Sequence, residues 1–225
     1  MPLHLHPSSF RRTWIFDLDN TLFDASRHVF PFLHDSMNAY LQTHLNLDAA
    51  QATQLRRHYW LQYGATLSGM VRHHGTDPEH FLRSTHNLPD CRRMVGCLPG
   101  VRDALRRLTG RKIVFTNSPL HYAERILRRL KLRPYIDAVY SIEHSGYRGK
   151  PDIRAFRALL ADARLAARRC VMVEDSARNL RPAKRLGMRT ALVSPAAGRA
   201  AFVDWQAASV LALLRAGRKV SGTTA

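Results

Sequence analysis

Four acidic side chains stand where apolar segments of the chain end. Asp17 and Asp19 follow one β-rich apolar run, and Glu174 and Asp175 follow another. Residues i and i+2 of an extended chain point to the same side, so the first two carboxylates are expected to lie close together and to repel unless a cation binds between them. Oxygen ligands of this kind favour magnesium. Asp175 would complete the metal site, and Glu174 would be a further ligand or would lie behind the site. A turn cap by Asp19 is the simpler interpretation of this pair alone.

Polar side chains that could bind an anion occur at two further places. One is the end of another β-rich run, and the other is a short loop. Thr116 and Asn117 supply a hydroxyl and an amide directly before a predicted helix, whose N-terminal end favours anions. Lys150 lies between a glycine and a proline, which restrict its loop. A helix cap for Asn117 and a solvated position for Lys150 are the simpler interpretations of each residue alone. Together with the carboxylates, these residues predict a site for a phosphorylated substrate.

Apolar runs that alternate with amphipathic segments must position these residues. The runs predict five strands at 13–16, 112–116, 136–140, 170–173 and 189–193, the last of these being the final strand. Strands that are apolar throughout and separated by helices are typical of a parallel sheet covered on both faces. We therefore predict an α/β fold with a doubly wound, Rossmann-like parallel sheet as its core. Ligands bind such sheets at the carboxyl ends of the strands, where the polar residues lie.

Apolar spacings of three and four residues predict the helices. The first covers about 24–47, and the second follows the N-cap Asp48 and continues to about Tyr63, where Gly64 and Gly69 break it. The tail from about residue 196 is predicted to be part helix and then frayed. Further helix boundaries are predicted at Asp77, Gly110 and Gly187.

The spacing of the site residues predicts a second unit. Asp17 and Thr116 are 99 residues apart, whereas one strand–helix unit needs about 30 residues. We place an inserted α-helical cap domain at 22–97 and the core at 1–21 and 98–225. The cap follows the first carboxylates directly, a position that suits a lid.

Composition narrows the class of protein. The chain has 225 residues, 45% of them hydrophobic, and a formal net charge of +18. Such a composition excludes wholesale disorder, and the excess of basic residues favours anionic partners, although an arginine-rich genome is the simpler explanation. No apolar run is long enough to span a membrane, the first residues lack the apolar core of a signal peptide, and the three cysteines form no paired framework. We expect a cytoplasmic protein with reduced thiols.

Four segments resemble the motifs of the haloacid dehalogenase-like superfamily. The segment 16–23 (FDLDNTLF) is similar to its first motif and 114–117 (VFTN) to its second. Lys150 is similar to the lysine of the third motif, and 171–176 (VMVEDS) to the fourth. Order, spacing and strand-end placement match along residues 10–195, so the chain is identified as a member of this superfamily.

The resemblance implies phosphoryl transfer through an aspartyl-phosphate. Asp17 would attack phosphorus, and Asp19 would protonate the leaving oxygen and then deprotonate the water that cleaves the intermediate. Thr116, Asn117 and Lys150 would hold the phosphoryl oxygens.

The resemblance also implies a Mg²⁺ cofactor. Its ligands would be the Asp17 carboxylate, the backbone carbonyl of Asp19, and Asp175, with Glu174 as a possible addition. Many members carry a second acid four residues after the fourth-motif aspartate, and this chain has Asn179 there. The role of Asn179 is left open by the sequence.

Asp19 discriminates among the activities of the superfamily. Dehalogenases have no carboxylate at that place, so Asp19 indicates phosphoryl transfer. ATPases carry a different residue there and are much longer. Phosphomutases of the β-phosphoglucomutase type keep the same four motifs and remain the alternative to a phosphatase.

Two segments of the insert resemble the cap of the pyrimidine 5′-nucleotidases, namely 63–69 (YGATLSG) and 73–82 (HHGTDPEHFL). This resemblance implies a nucleoside monophosphate substrate such as UMP or CMP. Tyr63 would stack on the base, and His73 or His74 would meet the ribose or a base edge. A packed tyrosine and solvated histidines are the simpler interpretation.

The prediction is thus a Mg²⁺-dependent phosphatase acting on a small phosphorylated substrate, without a membrane partner. A basic protein that binds nucleic acid without catalysis is a third hypothesis, but no aromatic-interleaved basic motif supports it. The twelve histidines show no zinc-site spacing. The oligomeric state is not predicted.

Overall fold

The computed structural model of the protein describes residues 12–89, 91–96, 98–196, 198 and 200–220. The expectations for the start of the chain, for Cys97 and for the tail beyond Val220 lie outside these residues. Within them, Cys170 is a buried free thiol. No helix of this part is long and apolar enough to cross a membrane.

One parallel sheet forms the centre of the molecule. Its strands are β1 (Thr13–Phe16), β2 (Arg111–Phe115), β3 (Ala138–Tyr140), β4 (Cys170–Glu174), β5 (Arg189–Val193) and β6 (Trp205–Ala207). Their order across the sheet is β3-β2-β1-β4-β5-β6, and each neighbouring pair is parallel. The predicted α/β fold with a Rossmann-like parallel sheet is confirmed.

The sheet is covered on both faces. Every residue of β1 is buried. Successive side chains of a strand point to opposite faces, and Trp14 and Phe16 accordingly join one apolar cluster while Ile15 joins another. Burial on both faces explains why β1 reads as a continuous apolar run.

Helices connect and cover the strands. They are α1 (Val29–Leu45), α2 (Ala49–Tyr63), α3 (Thr66–His74), α4 (Pro78–Thr85), α5 (Cys91–Met94), α6 (Val101–Arg107), α7 (Leu120–Arg129), α8 (Ile153–Asp162), α9 (Ala177–Arg185) and α10 (Val210–Val220). Asp48 begins α2 in a capping box: its side chain accepts from the Gln51 amide at 2.8 Å, and its own amide donates to the Gln51 side chain at 3.0 Å. Gly64 ends α2 with φ +83°. Both predicted boundaries are confirmed.

Three sequence predictions about the elements are wrong. The first helix begins at Val29 rather than near residue 24, because the Asn20 side chain accepts from the amides of Ala25 and Ser26 and holds that segment as a loop. The strand at 189–193 is not the last, since the half-buried strand β6 follows it. Gly69 does not break a helix, because it lies inside α3.

Five described helices, α1 to α5, lie between β1 and α6, and we call residues 29–94 the helical insert. The insert has its own apolar cluster, to which Tyr40, Met70 and Phe81 contribute. Ile142, which follows β3, completes this cluster. The division into a core at 1–21 and 98–225 and a cap at 22–97 stays a prediction.

Candidate active site

The carboxyl ends of three adjacent strands bring the predicted site residues together. Asp17 follows β1 and Thr116 follows β2. Glu174 is the last residue of β4, with Asp175 directly after it. Since β1 lies between β2 and β4, these side chains share one edge of the sheet.

Lys150 is buried among the acids at this edge and is only 1% exposed. Its Nζ donates to Asp17 Oδ1 at 2.6 Å, to Glu174 Oε1 at 2.8 Å and to the carbonyl of Phe115 at 2.8 Å. An ammonium group has three donors, so each has an acceptor here. Burial alone would lower the pKa of Lys150, but the two carboxylates raise it above its ordinary value. A charged ammonium group is therefore fixed beside Asp17.

The Asn117 side chain holds the backbone of the lysine loop. Its Nδ2 donates to the Lys150 carbonyl at 2.9 Å, and its Oδ1 accepts from the Lys150 amide at 2.7 Å. The loop approaches so closely that a methyl group on Gly149 would lie 3.1 Å from the Asn117 side chain. Thr116 is buried, and its Oγ1 accepts from the Ser118 amide at 3.0 Å. Asn117 thus ties the end of β2 to Lys150.

Glu174 lies behind the site, with both oxygens engaged. Oε1 accepts from Lys150 and also from Asn179 Nδ2 at 2.8 Å, and Oε2 accepts from the Ser176 amide at 2.9 Å. Burial would raise the pKa of Glu174, but the charge of Lys150 and the hydrogen bonds with Asp175, Lys150 and the Ser176 amide outweigh burial and lower it. The residue that the sequence left unexplained, Asn179, is therefore a partner of Glu174.

Three carboxylates at this edge have the spacing of a metal site. Single oxygen atoms of Asp17, Glu174 and Asp175 lie within 4.8 Å of one another. Burial raises the pKa of Asp17 to about 7, with Lys150 opposing and Glu174 adding to the effect. Burial, Glu174 and Asp17 raise the pKa of Asp175 to about 8. Crowded carboxylates of this kind fit a divalent cation that prefers oxygen ligands.

Asp19 is partly buried, and its carboxylate is turned toward α7. Tyr122 OH donates to Asp19 Oδ1 at 2.5 Å, and Ser118 Oγ donates to Oδ2 at 2.9 Å. Burial raises the pKa of Asp19, and the two hydrogen bonds oppose that rise. Its carboxylate is not among the three that cluster within 4.8 Å, so the predicted contribution of Asp19 to metal binding rests on its backbone carbonyl.

A cavity of about 350 Å³ opens beside the lysine loop, between the helical insert and the core. Tyr63 and Arg72 line it from the insert, and Arg148 and Gly149 line it from the core. The insert approaches the core closely here, because a methyl group on Gly64 would lie 2.6 Å from Cδ of Pro151. This volume is at the lower end of the range for small-molecule sites.

Of the three predicted specificity residues, only Tyr63 lines this cavity. Its hydroxyl hydrogen-bonds to His73 Nε2 at 2.7 Å. His74 instead pairs with the buried Tyr59 through a 2.7 Å hydrogen bond. The structure therefore brings His73 next to Tyr63 and pairs the exposed His74 with Tyr59.

Sequence reasoning gave no role to Tyr122. It assigned this residue only to the inward face of a helix, and the residue is indeed buried on α7. A hydroxyl group on an otherwise apolar buried face is the one signal that pointed to a polar partner, since such groups are hydrogen-bonded. Its partner Asp19 lies 103 residues away, a separation that no local pattern bridges.

The site thus combines a parallel sheet, an acidic edge at the carboxyl ends of its strands and a buried lysine. The family model of the haloacid dehalogenase-like hydrolases matches residues 12–187. The chain belongs to this family.

A curated relative is described as phosphate metabolism protein 8 of Saccharomyces cerevisiae. It is 24% identical over 199 residues, which cover 81% of this chain and 61% of the relative. The chain therefore spans less than two thirds of the length of that relative.

Two solved structures illustrate how widely the fold is shared. A HAD phosphatase from Thermococcus onnurineus matches with a TM-score of 0.65 and 18% identity, over 94% of this chain and 98% of the other. An L-2-haloacid dehalogenase from Xanthobacter autotrophicus matches with a TM-score of 0.61 and 14% identity, over 95% and 100%. At these identities the similarity establishes the fold, and the reaction must be argued from the site.

Proposed function

We propose that this hydrolase is a Mg²⁺-dependent phosphomonoesterase that works through an aspartyl-phosphate and acts on nucleoside 5′-monophosphates, pyrimidine nucleotides such as UMP and CMP in particular. The observation that carries the proposal is the 2.6 Å contact between the buried Lys150 ammonium and Asp17, with Asp19 two residues later. Different residues support the aspartyl-phosphate reaction and the choice of a nucleotide substrate.

The acids support covalent phosphoryl transfer. Lys150 holds one oxygen of Asp17 and so orients the carboxylate that attacks phosphorus. Asp19, whose pKa is raised by burial, donates a proton to the leaving oxygen and later accepts one from the attacking water. A carboxylate at position 19 favours this reaction over dehalogenation.

The buried lysine, and a divalent ion that the neighbouring acids would hold, support binding of the phosphoryl group. The Lys150 ammonium is buried, so its attraction for phosphate oxygens is weakly screened. Asp17 and Asp175 would hold Mg²⁺ with the backbone carbonyl of Asp19, and Glu174, whose two oxygens accept three hydrogen bonds, would lie behind them. The bound ion would supply further neutralisation of charge on the transferring group.

The cavity beside Gly149 supports a small leaving group. Tyr63 offers a ring on which a base can stack, and Arg72 lies with its guanidinium carbon 5.6 Å from the centre of that ring. The position of Tyr63 together with the likeness of the insert to nucleotidase caps motivates the choice of nucleotides. His73 would act through Tyr63, to which it is hydrogen-bonded.

The test is phosphate release from a panel of UMP, CMP, purine nucleotides, sugar phosphates and phosphoglycolate with Mg²⁺, with Asp17→Asn as the matched blank. Release restricted to UMP and CMP is the expected result. Release from every ester would retain the reaction and overturn the nucleotide preference. Absence of release would overturn the phosphatase, and isomerisation of β-glucose 1-phosphate would then identify the mutase alternative.

A further inference from the structure

The hydroxyl of Tyr122 forms one of the shortest contacts of the site. It donates to Asp19 Oδ1 at 2.5 Å, and the tyrosine side chain is 1% exposed. A buried hydroxyl without an acceptor is costly, so the contact restrains both partners. The two residues come from different elements, the loop after β1 and the first turn of α7.

The tyrosine ring is itself held in place. It belongs to the apolar cluster on one face of the sheet, as do Phe16 and Leu127. The His86 ring meets it edge to face, with centroids 5.7 Å apart and an interplanar angle of 86°. His86 is the C-terminal cap residue of α4, so the helical insert contributes to this support.

The Asp19 carboxylate is thereby fixed through both oxygens. Ser118 donates to Oδ2 at 2.9 Å while Tyr122 occupies one position on Oδ1. A carboxyl group offers about four acceptor positions, so each oxygen keeps a further position where a proton can reside. Without these two donors, rotation about the side-chain bonds would spread the carboxyl group over several orientations.

We propose that Tyr122 is a positioning residue that orients the Asp19 carboxyl group for proton transfer to the leaving oxygen. The inference rests on the proposed phosphatase reaction. In the first step Asp17 bonds to phosphorus, the bond from phosphorus to the leaving oxygen breaks, and the Asp19 proton moves to that oxygen. In the second step water attacks phosphorus, its proton moves to Asp19, and the bond between Asp17 and phosphorus breaks.

This role has a signature in the dependence on the leaving group. An alkoxide needs a proton as it departs, whereas p-nitrophenolate departs readily without one. The measurement is the single-turnover rate of the first step, release of the alcohol or phenol, for UMP and for p-nitrophenyl phosphate. Removing only the hydroxyl, in Tyr122→Phe, should slow the UMP step by about 10- to 100-fold, the lower part of the range for general acid catalysis. The p-nitrophenyl step should change by less than about 3-fold, because it does not draw on that acid.

Three further variants separate positioning from packing. Tyr40→Phe is the matched control, because it removes a buried hydroxyl that hydrogen-bonds to His80 inside the insert, and both rates should equal those of the wild type. In an Asp19→Asn background, Tyr122→Phe should have no further effect on the UMP step, since the group that it positions has gone. Ser118→Ala provides a second removal of a donor to Asp19 and should give the same selective loss.

The outcomes distinguish failure of the positioning role of Tyr122 from failure of the proposed phosphatase reaction. Equal slowing of both substrates by Tyr122→Phe, or no slowing of either, would overturn the positioning role while leaving the phosphatase intact. Full additivity of Tyr122→Phe and Asp19→Asn would overturn it as well. A wild-type protein that releases no phosphate from any ester would overturn the proposed function, and the positioning role with it.

Discussion

Asn179 Nδ2 donates a hydrogen bond of 2.8 Å to Glu174 Oε1, the same oxygen that accepts from Lys150. The sequence left the role of Asn179 open, and in the structure its side chain is an amide donor. Because the charge of Glu174 is buried, each donor around it offsets part of the cost of removing the carboxylate from water. Asn179 thus helps to keep Glu174 ionised behind Lys150.

Asn179→Asp is the first test of this relationship. The change would place a second carboxylate against Glu174 and replace a donor by an acceptor, so we expect a loss of about 2 to 4 kcal/mol in the free energy of unfolding. Urea denaturation at pH 7 measures it. Asn179→Ala removes only the donor and should cost less, about 1 to 2 kcal/mol. If both variants unfolded with the same free energy, repulsion by the new charge would not be the cause.

Asp175→Asn tests the cation site without relying on turnover. Burial, together with the charges of Glu174 and Asp17, makes the ionised Asp175 unfavourable in the metal-free protein. We therefore expect the variant to melt higher than the wild type in EDTA. Excess Mg²⁺ should raise the melting temperature of the wild type, because a ligand that binds only the folded state stabilises it, and should leave the variant almost unchanged.

The exposed Asp35 provides the matched control for the metal test. Asp35→Asn should melt like the wild type in EDTA and should keep the full response to Mg²⁺. A Mg²⁺ response that survives in Asp175→Asn would remove Asp175 from the ligand set.

The sheet and its acidic edge were predictable, because each depends on short stretches of sequence. Residues 14–16 are apolar and the whole strand 13–16 is buried, and Asp17 marks its end whatever packs around it. Strand β6 was missed because its three half-buried residues form the edge of the sheet, where no continuous apolar run is required. Long-range pairing with β5 is what makes this segment a strand.

The arrangement within the site was not predictable from spacing. A lysine in a basic chain is usually solvated, and only the tertiary structure places Lys150 between Asp17 and Glu174. The contact of Tyr122 with Asp19 likewise depends on how α7 packs beside β1. The sequence identifies the charged residues and the edge of the sheet where they lie, whereas the tertiary structure determines which of them are in contact.

Gly69, which was predicted to break a helix but lies inside α3, is packed tightly enough for the substitution Gly69→Ala to test. A methyl group on Gly69 would lie 2.1 Å from Cγ of the Tyr59 ring, a distance that packed atoms do not tolerate. In an open helix the change would stabilise by up to about 1 kcal/mol. Here overpacking should instead cost about 1 to 3 kcal/mol of unfolding free energy, measured by urea denaturation.

A second substitution and a control test whether contact with the Tyr59 ring causes the loss of stability in Gly69→Ala. Tyr59→Leu should make room for the methyl group, so Gly69→Ala should cost less in that background than in the wild type. Gly96→Ala, where the added methyl group has no neighbour within 4 Å, should change stability little. An unchanged cost in the Tyr59→Leu background would exclude contact with the Tyr59 ring as the source.

The free energy of unfolding should depend on pH through His86, and the burial of this residue sets the sign of the dependence. Burial, with a smaller contribution from the nearby His121, lowers the pKa of His86 from 6.5 to about 3. Between these two pH values the unfolded chain binds a proton at this position and the folded chain does not. Stability from this group is therefore full above pH 6.5 and is lost as the pH falls toward 3, by about 2 kcal/mol between pH 7 and pH 5.

The matched comparison is His86→Asn with His58→Asn, since His58 is exposed on α2. Asparagine cannot take up the proton, so the first variant should lose about 2 kcal/mol less than the wild type between pH 7 and pH 5. The second variant should follow the wild type, because it removes an imidazole from the solvent-exposed face of α2. Urea denaturation at the two pH values gives the difference, in which the titration of carboxyl groups common to all three proteins cancels. Equal losses in the wild type and in His86→Asn would mean that the imidazole is protonated in the folded state, and that water reaches the contact between the insert and Tyr122.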